Sequence, residues 1–452
     1  MEKKNSSRRQ FLTNTAILTG GALVAPTILS RCAKGANDRI MVAHIGVGSM
    51  GTAVLHSWFM HLETAYAAAT CDTFLERRTR EAKYVNQTYK EKKFKAPECK
   101  AYLDMDEILQ RSDIDAVNIT TPDHWHVLAA IKAARAGKHV MLAKPLGLCY
   151  SDFKILEKEL KANNVKFHYG TQQRAMSHMK LAINMIRDGK IGEVERVEVW
   201  APGKNDVPSP QCNEIPVPPD FDYERWTGPA RLNPYCPDRV TNNSSWFQND
   251  YSIGFLAGWG AHPLDIMVWG IKEQLMGKYT CEGTGKYWEP GGMYNNILSW
   301  DLNYEYESGV KLRFMSTDIA QSKDVWKYRK MKDSNTTTFY GSKGWISVGR
   351  NSADSNIPEL DEKLNAFPKN DQGWIKEDGW KMGQMYIDVV KGTTKETCPL
   401  DEAIMSDCVS HMGDIAIRTG RKITWNPLVG EVAGDPEANK IFNREARKPY
   451  TT

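Results

Sequence analysis

From residue 39 to residue 170, short apolar runs alternate with amphipathic segments of helical length. The runs at 39–45, 62–70, 116–120, 139–143 and 165–170 have the length of buried strands. Segments ending at Met60 and spanning 104–111, 126–137 and 150–163 carry apolar residues at helical spacing. Strands that alternate with helices in this way predict a parallel, doubly wound sheet.

Past residue 171 the period changes. Alternating apolar and polar positions at 194–200, 296–306, 311–317 and 336–348 predict strands that face a core on one side only. The fold class read from the chain is α/β. An N-terminal Rossmann doubly wound sheet is followed by an α+β domain with a large open, mostly antiparallel sheet. The expected division is a leader at 1–32, a first domain at 39–170, a second domain at 171–425 and a tail at 426–452. A chain of 452 residues has room for two or three domains and a sizeable core.

Charge separates the leader from the rest. Fifty-nine Lys and Arg stand against 55 Asp and Glu, a formal net charge of +4. Lys3, Lys4, Arg8, Arg9 and Arg31 against Glu2 account for all of it, so the body is neutral and has no electrostatic footprint for nucleic acid. A charged start, a short mildly apolar stretch at 16–25 and then Pro26 make the order of a signal peptide, too short to span a bilayer. Ser7-Arg8-Arg9-Gln10-Phe11-Leu12 resembles the twin-arginine export motif, which predicts a periplasmic protein. Leu29 three residues before Cys32 resembles a lipobox and makes Cys32 a candidate lipid anchor, although Arg31 departs from the small residue expected there. No later stretch is apolar enough to cross a membrane. The eight cysteines after Cys32 show no CxxC spacing, which predicts mostly unpaired residues, room for one bridge and no metal site.

The strongest chemical signal is Gly46-Val47-Gly48-Ser49-Met50-Gly51, after a strand and opening a helix, with Asp72 at the end of the next strand. The first glycine permits the tight turn, the second lets backbone approach a pyrophosphate, and the third packs helix on strand. Asp72 is placed to bond the ribose hydroxyls and repel a 2′-phosphate, which predicts NAD. Arg77 and Arg78 follow closely, and NADP is the alternative if they meet that phosphate. Ligands of such sheets bind beyond the carboxyl ends of the strands, which adds Thr120, Thr121, Pro122, His124, His126 and Lys144 to the candidate site.

These segments carry a family resemblance. Thr121-Pro122-Asp123-His124-Trp125-His126, Lys144-Pro145-Leu146, Gly189-Lys190-Ile191-Gly192-Glu193-Val194 and Trp259-Gly260-Ala261-His262-Pro263-Leu264-Asp265 resemble the glucose–fructose oxidoreductase, inositol dehydrogenase and MocA family over roughly residues 39 to 450. The resemblance implies hydride transfer between a bound NAD(P) and a secondary alcohol carbon of a sugar or glycoside, and association of copies through the open sheet. It also implies a redox-neutral alternative, NAD-dependent glycoside hydrolysis or elimination by transient oxidation, and a non-catalytic sugar-binding homologue as a further alternative. The Thr-His-Gly-rich signature of the N-acetylgalactosaminidase branch is not found in this sequence. Two positions depart from the family pattern: Ala143 replaces a Glu and Gly258 replaces an Asp.

Under this reading His262 is the base for the hydroxyl proton, because imidazole changes charge near neutral pH. Lys144 stabilises developing alkoxide, and Asp265, one helical turn after His262, orients it. Gln173, Arg174 and Trp259 are the expected substrate contacts, with Trp246, Tyr294 and Trp300 as further flat faces for a sugar ring.

Overall fold

The computed structural model describes residues 39–203, 208–241, 243–323, 333–366 and 379–452. The expected export signal, with Arg8, Arg9 and Cys32, lies outside the described residues.

Six parallel strands form the first sheet: β1 (Ile40–Ile45), β2 (Ala65–Cys71), β3 (Lys100–Tyr102), β4 (Ala116–Ile119), β5 (His139–Ala143) and β6 (Phe167–Gly170). Their order is β3-β2-β1-β4-β5-β6, so the chain reverses direction of winding between β1 and β4. The runs of β2 and β4 are wholly buried, as expected of strands covered on both faces. The helix Leu75–Glu91 goes beyond the expected elements, because its sequence is mostly polar and only Glu81, Ala82, Val85 and Tyr89 are buried. The helix expected from residue 126 begins at Asp123 instead. Pro122 holds extended backbone just before it, which suits a helix start and sets Asp123 in the first turn.

The second sheet has nine strands: β7 (Val194–Ala201), β8 (Tyr279–Tyr287), β9 (Ile297–Tyr306), β10 (Lys311–Ser316), β11 (Thr336–Gly341), β12 (Gly344–Gly349), β13 (Ala353–Ser355), β14 (Ile423–Asn426) and β15 (Glu431–Val432). Its order is β13-β12-β11-β7-β10-β9-β8-β14-β15, and only β7 and β10 run parallel. The single strand expected at 336–348 is a hairpin, with β11 and β12 joined by Ser342-Lys343 between two glycines.

The division at residue 170 does not separate two independent bodies. The helix Gly379–Lys391 returns to the first sheet, where Met382, Tyr386 and Ile387 pack with Val42, Val54 and Trp58. A Cβ at Gly383 would stand 2.0 Å from the Trp58 carbonyl oxygen, so this close approach requires glycine. The Tyr386 hydroxyl donates to the Val117 carbonyl at 3.1 Å. Residues 39–452 accordingly form one compact unit. Among the described residues no helix is long and apolar enough to cross a membrane. Cys212 and Cys236 form the one described disulfide, and the six other described cysteines are free and buried.

Candidate active site

The glycine loop sits where β1 feeds its helix. Gly46 has φ +82°, and a Cβ there would meet the Thr120 carbonyl oxygen at 2.6 Å. A Cβ at Gly51 would lie 1.9 Å from the Gly46 oxygen. At Gly48 a Cβ would meet only the Arg77 guanidinium, at 3.6 Å, so that face stays open to a ligand. The Asp72 carboxylate accepts the Val47 and Phe74 backbone N–H groups, each at 3.0 Å. Burial raises its carboxyl above the ordinary range, opposed by those N–H groups and by Arg77 and Arg78. Arg77 lies 3.9 Å over the Phe74 ring, whereas Arg78 donates to the carbonyls of Asp72 and Thr73.

From this loop a cavity of 580 Å³ runs to Lys144 and Trp246, and Ser49, Met50, Thr120, Thr121, Pro122 and His126 line it with Asp72 and Arg77. The His126 ring nitrogens stand 2.6 and 2.8 Å from the carbonyl oxygens of Pro145 and Thr121. His124 does not face this cavity. Its Nε2 lies 3.0 Å from the Trp226 carbonyl oxygen, and burial pushes its pKa down to about 4.

A segment of the second domain crosses the Asp72 end of the cavity. Phe221 stacks on Phe74 at 3.9 Å and 11°, Leu75 N–H donates to the Asp220 carbonyl, and Asp222 N–H donates to that of Thr73. Arg225 pairs with Asp104 at 2.7 Å, and Trp125 Nε1 donates to the Trp226 carbonyl at 3.0 Å. A Cβ at Gly228 would meet the Trp125 ring at 2.3 Å. This strap holds one aromatic pair, one ion pair and two backbone bonds against the cavity rim.

At the other end Lys144 Nζ donates to the Gly258 carbonyl at 2.8 Å, between the rings of Trp246 (5.4 Å) and Trp259 (5.9 Å). Burial pulls its pKa down to about 8, with Arg350 adding to the effect and Asp123 opposing it. Asp407 and His411, on the helix Leu400–Thr419, hold the following loop through Leu146 N–H and the Gly147 carbonyl. His262 is 1% exposed, stands beside Trp259 and leaves Nδ1 without a hydrogen-bond partner among the described residues. Burial, then Arg350 and Lys144, hold its pKa well below the ordinary value, so the imidazole is neutral. The cavity wall includes Lys144 but not His262.

Five expected site residues take other roles in the structure. Asp265 does not orient His262: its two oxygens accept from Arg174 Nη2 (2.6 Å), Arg174 Nε (2.8 Å) and Thr171 Oγ1 (2.8 Å). Arg174 is no substrate contact, being 1% exposed and also paired with Glu402. Gln173 donates to Asn335 Oδ1, whose amide in turn bonds the Trp259 carbonyl. The turn of tight helix at Gln172–Ala175 aims Gln172 at the cavity in their place. Trp300, 1% exposed, is core, and Tyr294 packs against Phe247 and Trp288. Sequence reasoning had not singled out Asp123, Ser252 or Arg350, whose guanidinium lies 5.2 Å from the Trp259 ring centre. No spacing marks Arg350, because it reaches the site from the end of β12.

Two family models match consecutive parts of the chain. Residues 40–171 match an oxidoreductase family, NAD-binding Rossmann fold, and residues 199–452 match that oxidoreductase family's C-terminal alpha/beta domain. The chain belongs to the glucose–fructose oxidoreductase, inositol dehydrogenase and MocA family. An α-N-acetylgalactosaminidase of Shewanella oneidensis is 29% identical over 219 residues, 42% of this chain and 44% of that protein. A glycosyl hydrolase family 109 protein of a Shewanella species is 29% identical over 220 residues, with the same two shares. The chain thus matches less than half the length of these curated relatives. Among solved structures, the WlbA dehydrogenase of Bordetella pertussis, in complex with NADH and UDP-GlcNAcA, aligns with TM-score 0.61 and 16% identity over 85% of this chain and 97% of that one. The scyllo-inositol dehydrogenase of Lactobacillus casei aligns with TM-score 0.55 and 14% identity over 86% and 99%.

The residues present fit the family's NAD. The two crowded glycines, the open face at Gly48 and a buried carboxylate at the end of β2 make the cradle that a pyrophosphate and a ribose diol require. Among the described residues no group of His, Cys, Asp or Glu is arranged to hold a metal ion.

Proposed function

We propose that this protein is an exported enzyme that retains NAD and uses it on a secondary alcohol of a sugar or glycoside, resetting the cofactor within each cycle. The observation that carries the reading is the strap at 220–228, whose contacts with Phe74, Leu75 and Trp125 impede exchange of a dinucleotide seated against Asp72. When bound, NAD supplies a hydride acceptor for the alcohol carbon and can return that hydride later. Lys144, on the cavity wall with a pKa of about 8, is suited to exchange a proton with the substrate hydroxyl near neutral pH. Its other N–H groups are free of the Gly258 bond and suited to the developing alkoxide. Neutral His262, its ring centre 6.1 Å from that of Trp259, adds no competing charge. Trp246 and Trp259 offer apolar faces to a sugar.

The relatives named as family 109 glycosidases favour the redox-neutral form, in which oxidation acidifies the neighbouring C–H and a glycosidic group is eliminated. Net hydride transfer from one sugar to another is the second reading, favoured by the dehydrogenases that share the fold. The described disulfide suits an oxidising compartment, in keeping with twin-arginine export to the periplasm and a lipid anchor at Cys32. Purified mature protein should carry about one NAD per chain through gel filtration, as read by absorbance and mass spectrometry. With the right glycoside it should release free sugar without accumulating NADH. Protein that elutes empty of nucleotide overturns the retained cofactor; ketone product matched by NADH excludes the redox-neutral form.

A further inference from the structure

The sequence lacks carboxylates at the two positions beside the reacting lysine, Ala143 and Gly258, yet the site holds a buried carboxylate from a third place. Asp123, 3% exposed in the first turn of its helix, accepts the Ser252 hydroxyl at 2.7 Å. That hydroxyl itself accepts Gly254 N–H at 3.0 Å, so its proton is directed to Asp123. The Ser252 carbonyl is held by Asn296, and Gly254 takes φ +77° to begin the short helix Phe255–Gly258. The last residue of that helix is the one whose carbonyl receives Lys144. Asp123 and Lys144, from neighbouring strand ends of the first sheet, therefore grip opposite ends of one segment, Ser252–Gly258. The next residues are Trp259 and His262.

We propose that Asp123 is a positioning residue of this site, supplying the counter-charge for Lys144 while tethering, through Ser252, the segment that fixes the lysine and leads to Trp259. The two functions are coupled, because a neutral residue at 123 removes the charge and weakens the tether together. The inference rests on the reading above that Lys144 meets the substrate.

The electrostatics around the pair are uneven. Lys144 feels the Asp123 carboxylate and the Arg350 guanidinium, and His262 in turn feels Arg350 and Lys144. Asp123 faces Lys144, His126 on its own helix, the Ser252 hydroxyl and, across the site, Asp407. Burial and Arg350 both favour neutral lysine, and Asp123 is the group that favours the ammonium. Without Asp123 the lysine should lose its proton at lower pH.

The test is trace acetylation of the nucleotide-bound protein with acetic anhydride across a pH series, reading the acetylated fraction of the Lys144 peptide by mass spectrometry. Wild type should give a midpoint of about 8. Asp123→Asn should lower it by about one pH unit, and Asp123→Glu, which keeps the charge, should leave it near the wild-type value. Asp123→Ser serves as a second neutral variant if the amide does not fold. The pH–rate profile should show the same displacement of its lysine-dependent inflection in the neutral variants. An Asn or Ser midpoint equal to wild type overturns the inference. The labelling does not require substrate, so turnover that survives Lys144→Met would sink the catalytic reading while leaving the Asp123–Lys144 pairing separately decided.

Discussion

Lys144 Nζ and the Gly258 carbonyl oxygen meet at 2.8 Å across 114 residues of chain. The bond joins the end of β5 to the segment that carries Trp259 and His262, so the lysine is both a chemical group and a joint. Its replacement should separate these roles. Lys144→Met should lower turnover by about 100-fold or more, the usual scale for a positioned proton-transfer group. Bound NAD should persist, because the glycine loop and Asp72 are untouched. Nucleotide content and single-turnover rates on the same preparation check this; unchanged turnover would remove Lys144 from the chemistry.

The glycines of the site divide into two kinds. Gly51→Ala forces a methyl to within 1.9 Å of the Gly46 oxygen, and backbone cannot yield there cheaply. That variant should be isolated without nucleotide and with a lowered melting temperature. Gly258 has nothing within 4 Å of a built Cβ. Gly258→Ala should therefore fold and bind NAD as wild type does, within about 0.5 kcal/mol of its stability. Equal behaviour of the two variants would contradict this account of the loop.

What the sequence made legible follows from local physics. The glycine spacing, the strand before it and Asp72 are all encoded within about 30 residues, the length of one βαβ unit. Lys144 was readable for a similar reason, since it ends a strand next to a proline. Asp265 and Arg174 misled because a first-turn acid beside a candidate base, and an arginine after the last Rossmann strand, look the same in sequence whether they face substrate or each other. Their pairing spans 91 residues and is visible only once the helix Ala261–Ile271 packs on the turn at Gln172–Ala175. Asp123 lies inside the Thr121–His126 motif, where its neighbours in sequence do not distinguish it. Its importance depends on Ser252, 129 residues away.

The Arg174–Asp265 pair gives a prediction about stability. Both side chains are nearly inaccessible, at 1% and 0%. Removing the guanidinium leaves a buried carboxylate with Thr171 and the Cys398 thiol as its donors among the described residues. Arg174→Met should destabilise the protein by about 3 kcal/mol or more, the scale for breaking a buried ion pair from one side. The KM for substrate should hardly change at temperatures where the variant is folded. Urea unfolding and steady-state kinetics distinguish this from a substrate contact, for which KM would rise and stability would not fall.

Acid should be the weak side of this fold. His44 and His168 are fully buried in the first sheet, and burial lowers their pKa values to about 3 and about 4. His124, at about 4, and His262, well below the ordinary value, are held neutral for the same main reason. In the unfolded chain each takes up a proton as pH falls through about 6.5, while the folded chain does not. The unfolded state thus binds more protons, and stability is present above about pH 6.5 and lost as pH falls below it, by about 1.4 kcal/mol per unit for each histidine. The raised carboxyls of Asp72 and Asp123 act in the opposite sense, two groups against four histidines. The urea midpoint should therefore drop steeply between about pH 6.5 and pH 5. His168→Gln, which removes one such proton, should make that drop shallower. Equal midpoints at the two pH values would mean that these histidines find a charged state or a partner in the folded protein.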